Sequence, residues 1–105
     1  MIIITGGIVG RPDTFDELRR LSREHVARSR TEDGCLHHSV QIDAENHLRL
    51  VFFERWRDKA AVLAHFAVPA SREFSAAARR LAASPPEIAL YSADEIPFAS
   101  FIRPV

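Results

Sequence analysis

Histidine is the side chain of this sequence best suited to move a proton near neutral pH, because its ordinary pKa is about 6.5. The chain contains five histidines, at positions His25, His37, His38, His47 and His65. His25 lies within about 30° of the centre of a predicted helical apolar stripe, counting about 100° per residue. It is therefore either a base or hydrogen-bonding group in a cleft, or a core histidine bonded to a backbone carbonyl.

Two further histidines lie beside apolar positions. His38 shares one face of a predicted strand with Leu36 and other apolar residues, so its ring should be at least partly buried. His65 flanks a short helical stripe instead of centring it, which predicts a half-exposed ring. His37 points away from His38, and neighbouring strand residues cannot ligate one ion together. No metal site is predicted.

The only tryptophan, Trp56, ends a predicted strand that is apolar on both faces. Phe52 and Glu54 share its face. We interpret Trp56 as a pocket wall or as a core residue, with Phe52 as an apolar neighbour. A buried indole N–H needs an acceptor, which a ligand oxygen could supply. A buried Glu54 carboxylate needs a partner, and an arginine is expected.

Hydrophobic periodicity predicts the elements that position these side chains. Strands are predicted over 2–9, 36–43, 48–57 and 87–95. Helices are predicted over 14–30, 58–67 and 71–83. Thr14 with Glu17 matches a helix capping box, Asp58 is a predicted N-cap, and Gly6-Gly7 indicates a bulge or a close approach in the first strand. The order β-α-β-β-α-β predicts a ferredoxin-like α+β fold.

A chain of 105 residues is long enough for one domain, so we expect residues 1–105 to form a single domain. The predicted helices would cover only one face of the sheet, yet the third strand is apolar on both faces. A second copy of the chain is the simplest cover, which predicts a homodimer. The apolar tail 96–105 is expected to pack on that partner.

Charge and composition exclude other classes of protein. Fourteen basic and fourteen acidic residues leave no basic excess for nucleic-acid binding. No apolar run approaches the roughly 18 residues of a membrane span. The single cysteine, Cys35, excludes a disulfide within the chain, and the N-terminus does not read as a signal peptide. A cytoplasmic protein is expected.

Three motifs, in order, resemble the antibiotic biosynthesis monooxygenase family over roughly residues 2–95. They are the segments Gly34-Cys35-Leu36, Phe53-Glu54-Arg55-Trp56 and Asp58 to Phe66. The resemblance implies a dimeric α+β barrel with a pocket between each sheet and its own helices. The best-known members are cofactor-independent oxygenases of polycyclic phenols or quinols, and related members degrade haem.

The chain lacks most of the catalytic residues that the resemblance implies, both those of the phenol-oxidising members and those of the haem-degrading members. Phenol-oxidising members carry an asparagine at the position of Phe52, and of their set only Trp56 is retained. Haem-degrading members carry an asparagine where this chain has Thr5-Gly6-Gly7, and their haem-ligating histidine falls near Ser75. Their second tryptophan corresponds to His65. Haem degradation is therefore not expected.

The sequence leads to two functional hypotheses. The first is a cofactor-independent monooxygenase that acts on an aromatic, phenolic or quinol-like small molecule. The second is a non-catalytic dimer that binds a hydrophobic small molecule in the same pocket. The candidate catalytic residues are His25 and His65. The candidate substrate-binding residues are Phe52, Trp56, His38, Phe66 and Phe74.

Overall fold

A computed structural model describes residues 1–104 of the chain. The strands are β1 (Ile2–Val9), β2 (Cys35–Asp43), β3 (Asn46–Trp56) and β4 (Glu87–Ser92). The helices are α1 (Phe15–Ser29), α2 (Lys59–Ala67), α3 (Pro69–Leu81) and the short α4 (Phe98–Phe101). The predicted ferredoxin-like α+β class is confirmed, and the second helical segment consists of α2 and α3.

All neighbouring strands pair antiparallel in the order β2-β3-β1-β4. The register of β1 against β3 runs without a shift through Gly6 and Gly7, so the strand has no bulge there. The alternative prediction, a close approach, is the one observed. A Cβ built on Gly7 would lie 2.6 Å from Nη2 of Arg49, which crosses the strand at this point.

A bulge lies instead at the start of β2. Cys35 pairs with Trp56 and His37 pairs with Arg55, which leaves Leu36 as an extra residue. Leu36 is 52 % exposed, so the prediction that it shares the buried face of His38 is wrong. After this extra residue the pairing of β2 with β3 continues, with His38 opposite Glu54 on the face that the helices cover.

The helix boundaries follow local chemistry with one exception. Asp58 caps α2 as predicted, because its Oδ1 accepts the backbone N–H of Ala61 at 2.9 Å. The capping box predicted for α1 is wrong. Thr14 Oγ1 donates to the carbonyl of Leu81 at 2.7 Å and so joins α1 to the end of α3. Pro69 begins α3, where a missing N–H is tolerated.

Helices and sheet enclose two apolar clusters. The larger cluster contains Ile8, Leu18, Val26, Leu50, Phe52, Ala78 and Ala82. The smaller contains Ile4, Trp56, Ala61 and Val62. The three buried histidines lie on the same face of the sheet as these clusters. The core therefore carries a polar region in its interior.

Apolar side chains are exposed on the opposite sheet face and in the tail. By strand alternation, Phe53 and Tyr91 lie on that face, and they are 36 % and 54 % exposed. In the tail, Phe98 and Phe101 are 75 % and 72 % exposed. The predicted partner subunit would cover such a surface, and the homodimer remains a prediction. Every helix within residues 1–104 is too short or too polar to span a bilayer.

Candidate active site

A cavity of about 1010 Å³ opens between the sheet and α3. Its wall contains the predicted site residues His25, His65, Phe52, Phe66 and Phe74, together with Glu54. Gly6 lines the cavity, and a Cβ there would lie 3.3 Å from the carbonyl oxygen of Glu87 and 3.6 Å from Cβ of Phe52. His38 and Trp56 do not line this cavity, which differs from their predicted placement.

His25 projects from α1 and is 6 % exposed. Its ring stacks on Phe74, with centroids 4.2 Å apart and planes 11° from parallel. Nδ1 lies 2.8 Å from Nη2 of Arg28. Because a guanidinium can only donate, Nδ1 is the accepting nitrogen, and the proton of the neutral ring is on Nε2.

Burial, with His38, His65 and Arg28 adding to it, lowers the pKa of His25 to about 3. The ring is therefore neutral at physiological pH and is a weak base. In this setting His25 is better suited to donate a hydrogen bond than to remove a proton. Of the two cleft roles expected from the sequence, a base or a hydrogen-bonding group, this setting favours the second.

His38 is fully buried behind Glu54 and Phe52. Its Nε2 lies 3.7 Å from Oε2 of Glu54, and within residues 1–104 neither ring nitrogen has a hydrogen-bond partner. Burial, with His65, Arg30 and His37 adding to it, lowers its pKa to about 3. His38 is thus a neutral ring that supports the cavity wall from behind.

His65 has the strongest carboxylate contact of the three. Its Nδ1 lies 2.8 Å from Oε1 of Glu32, and its Nε2 lies 4.0 Å from Oε1 of Glu54. An ionised carboxylate only accepts, so Nδ1 carries the hydrogen and Nε2 is free to take a proton. The ring also packs on Trp56, with centroids 4.6 Å apart.

The prediction that His65 is half exposed is wrong, because the ring is 3 % exposed. Its apolar neighbours in α2, Leu63 and Phe66, are 53 % and 41 % exposed instead. Glu32, in the turn before β2, contacts Nδ1 of the buried ring. No periodicity marks Glu32, and its place beside the Gly34-Cys35-Leu36 motif was the only signal that could have drawn attention to it.

Glu54 is 8 % exposed, and its partner is not an arginine. The Nε1–H of Trp56 donates to Oε1 of Glu54 at 2.9 Å. The indole N–H therefore has a protein carboxylate as its acceptor, and the ligand oxygen that the sequence left open is not needed. Burial raises the pKa of Glu54, while the indole hydrogen bond and His65 oppose that rise.

These contacts place two groups that can hold a proton, His65 and Glu54, at the edge of an apolar cavity. Such a pair suits proton transfer to or from a bound hydroxyl. Among residues 1–104, no group of three or more His, Cys, Asp or Glu side chains is arranged to hold a metal ion.

The sequence also matches a known family. The family model described as antibiotic biosynthesis monooxygenase matches residues 1–77. The chain belongs to this family. An uncharacterised protein of Synechocystis is 36 % identical to this chain over 94 residues. That match covers 90 % of this chain, and the chain spans 64 % of the length of the Synechocystis protein.

Solved structures agree with the family fold. A candidate antibiotic biosynthesis monooxygenase of Deinococcus radiodurans superposes with a TM-score of 0.87 at 27 % identity, covering 91 % of this chain and 95 % of that one. A Mycobacterium tuberculosis protein superposes with a TM-score of 0.84 at 25 % identity, covering 90 % and 96 %.

Proposed function

We propose that this antibiotic biosynthesis monooxygenase family member oxidises an aromatic phenol or quinol in its cavity, with dioxygen and without a cofactor. The observation that carries the proposal is the pair formed by His65 and Glu32. A histidine on a buried, largely apolar wall, with one nitrogen held by a carboxylate and the other free, has the arrangement of a general base. We also propose that the working unit is a homodimer.

In the proposed reaction, Nε2 of His65 takes the proton of the phenol, and the phenolate transfers an electron to dioxygen. The two radicals join as a peroxide at the para ring carbon, which loses its hydrogen as the O–O bond breaks. Phenol and dioxygen give quinone and water. One oxygen atom enters the ring, the other leaves as water, and the substrate supplies all four electrons.

The other wall residues have distinct roles in this proposal. Phe52 and Phe74 bound the ring of the substrate, and the Nε2–H of His25 donates to the phenolate oxygen. Glu54 receives the proton from His65 and passes it to the departing water. Trp56 holds Glu54 in position through the indole hydrogen bond.

The second candidate is a non-catalytic binding dimer that uses the same cavity. One observation favours it: Phe52 lies on the cavity wall where the resemblance places the asparagine of phenol-oxidising members. An apolar ring there can pack on a ligand but cannot hydrogen-bond to it. This function predicts saturable binding of an aromatic molecule with no oxygen uptake.

Oxygen consumption with a panel of naphthalenediols separates the two functions. We expect uptake above the buffer rate, and we expect His65→Gln to lower kcat by roughly 10²–10⁴-fold, because glutamine keeps a contact to Glu32 but removes the base. His47→Gln changes an exposed hairpin histidine and is the matched control, with unchanged kcat. Ligand binding without uptake by the wild type would exclude the monooxygenase and leave the binding dimer.

A further inference from the structure

The rim of the cavity carries unbalanced positive charge. Arg72 and Arg79 lie seven residues apart on α3, which is about two helical turns, so they project from the same face. Both side chains line the cavity, and both residues are exposed. Within the described residues 1–104, neither guanidinium has a carboxylate within 4.0 Å.

The acidic residues of the same cavity do not neutralise this rim. Glu87 is engaged elsewhere, with its Oε2 at 3.6 Å from Nη2 of Arg49. Glu54 is buried, and its carboxylate lies against the indole N–H of Trp56 and the rings of His38 and His65. A ligand that enters the cavity therefore meets two arginines that have no carboxylate of residues 1–104 within 4.0 Å.

A third polar group faces the cavity without a partner. Ser71, at the start of α3, is 7 % exposed and lines the cavity, and its Oγ has no hydrogen-bond partner among residues 1–104. A buried hydroxyl without a partner is unfavourable unless a ligand or water completes its bonding. Ser71 and Arg72 are adjacent, so an oxygen-bearing ligand group at this end of α3 could reach both.

We infer that the substrate is an aromatic acid: a phenol that also bears a carboxylate, with the carboxylate bound by Arg72 and Arg79. The apolar interior formed by Ile8, Phe52 and Phe74 takes the ring system. The planar guanidinium matches a carboxylate with two parallel hydrogen bonds, and such charged bonds are stronger than neutral ones. The inference rests on the proposed function and adds the acidic group to its substrate.

Calorimetric titration with a matched pair of probes tests this directly. The probes are 6-hydroxy-2-naphthoate and 2-naphthol, which differ only in the carboxylate. We expect the wild type to bind the acid at least about tenfold more tightly at low salt. The double variant Arg72→Gln, Arg79→Gln should lose that preference and keep its affinity for 2-naphthol within about twofold.

Arg80→Gln is the matched control, since Arg80 lies on the same helix outside the cavity wall, and it should keep the full preference. Equal wild-type affinity for the two probes would overturn the inference, and so would a preference that survives in the double variant. Binding is measured without turnover, so the two proposals fail separately. Acid-selective binding with no oxygen uptake would contradict the proposed monooxygenase activity but not the recognition of an aromatic acid. Oxygen uptake without acid selectivity would contradict the recognition of an aromatic acid but not the monooxygenase activity.

Discussion

The three buried histidines illustrate how neighbours assign different tasks to one residue type. His25 accepts a hydrogen bond from an arginine, His65 donates to a carboxylate, and His38 has no hydrogen-bond partner within residues 1–104. Their ring centroids lie between 5.3 and 6.1 Å apart, so protonation of one disfavours protonation of the others. A group of this kind can hold one proton near the cavity far more easily than two.

The lowered pKa of His38 predicts a loss of stability in mild acid. The unfolded chain protonates His38 below about pH 6.5, whereas the folded chain does so only near 3, so between these values the unfolded state binds more protons. The free energy of unfolding should therefore fall as the pH drops. From about pH 7 to about pH 5, this histidine contributes a loss of roughly 2 kcal/mol.

Urea unfolding at both pH values measures this effect. His38→Gln should show a smaller loss between pH 7 and pH 5 than the wild type, whatever its absolute stability. His47→Gln, at an exposed site, should show the wild-type loss. The raised pKa of Glu54 acts in the opposite direction. An equal loss in His38→Gln and the wild type would contradict the prediction.

At the scale of elements, two short connections bring the site together. The turn before β2 carries Glu32 and ends at Gly34, which has a φ of +82°. A Cβ at Gly34 would lie 2.5 Å from Cβ of Ala61 in α2, so glycine is required both for the backbone conformation and for the close contact. That contact sets the turn against α2 and places Glu32 beside His65.

The cap of α2 is the second connection, and it can be tested by substitution. Asp58→Ala should lower Tm by a few degrees, because the N–H of Ala61 loses its acceptor. Asp58→Asn keeps a capping oxygen and should retain most of the wild-type Tm, although it loses the ion pair with Arg57. Thermal unfolding followed by circular dichroism measures both. If the two variants are destabilised equally, the ion pair matters and the cap does not.

At the scale of the whole molecule, the sheet face opposite the helices is the surface expected to pair with a second copy of the chain. Phe53 is at its centre, opposite Thr5 on β1 and Ser39 on β2. Light scattering at micromolar concentration should report twice the mass of one chain. Phe53→Glu should give a monomer, because a charge would be buried in the interface without a partner.

Leu63→Glu is the control for that experiment, since Leu63 is 53 % exposed on α2 and far in the fold from this sheet face. It should leave the dimer intact. Truncation after Glu95 should weaken association if the tail reaches the partner. A wild-type protein with the mass of one chain would contradict the proposed dimer.

The sequence by itself predicted the four strands, the three longer helices and their order. Alternation in β2 and β3 put His38, Phe52, Glu54 and Trp56 on one face, and the apolar stripe of α1 brought His25 to it. These properties are local, since they depend on repeats of two or 3.6 residues. Asp58 as a cap is local as well.

Only the tertiary structure decided how the side chains of the site are paired. Glu32 meets His65 across 33 residues of sequence, the indole of Trp56 turns to Glu54, and the bulge at Leu36 moves one apolar side chain to the surface. Each outcome depends on where a turn or ring lies after the core has packed, and no periodicity encodes such distances. The chemistry of this cavity is therefore set by long-range contacts, although every residue that carries it can be read from the chain.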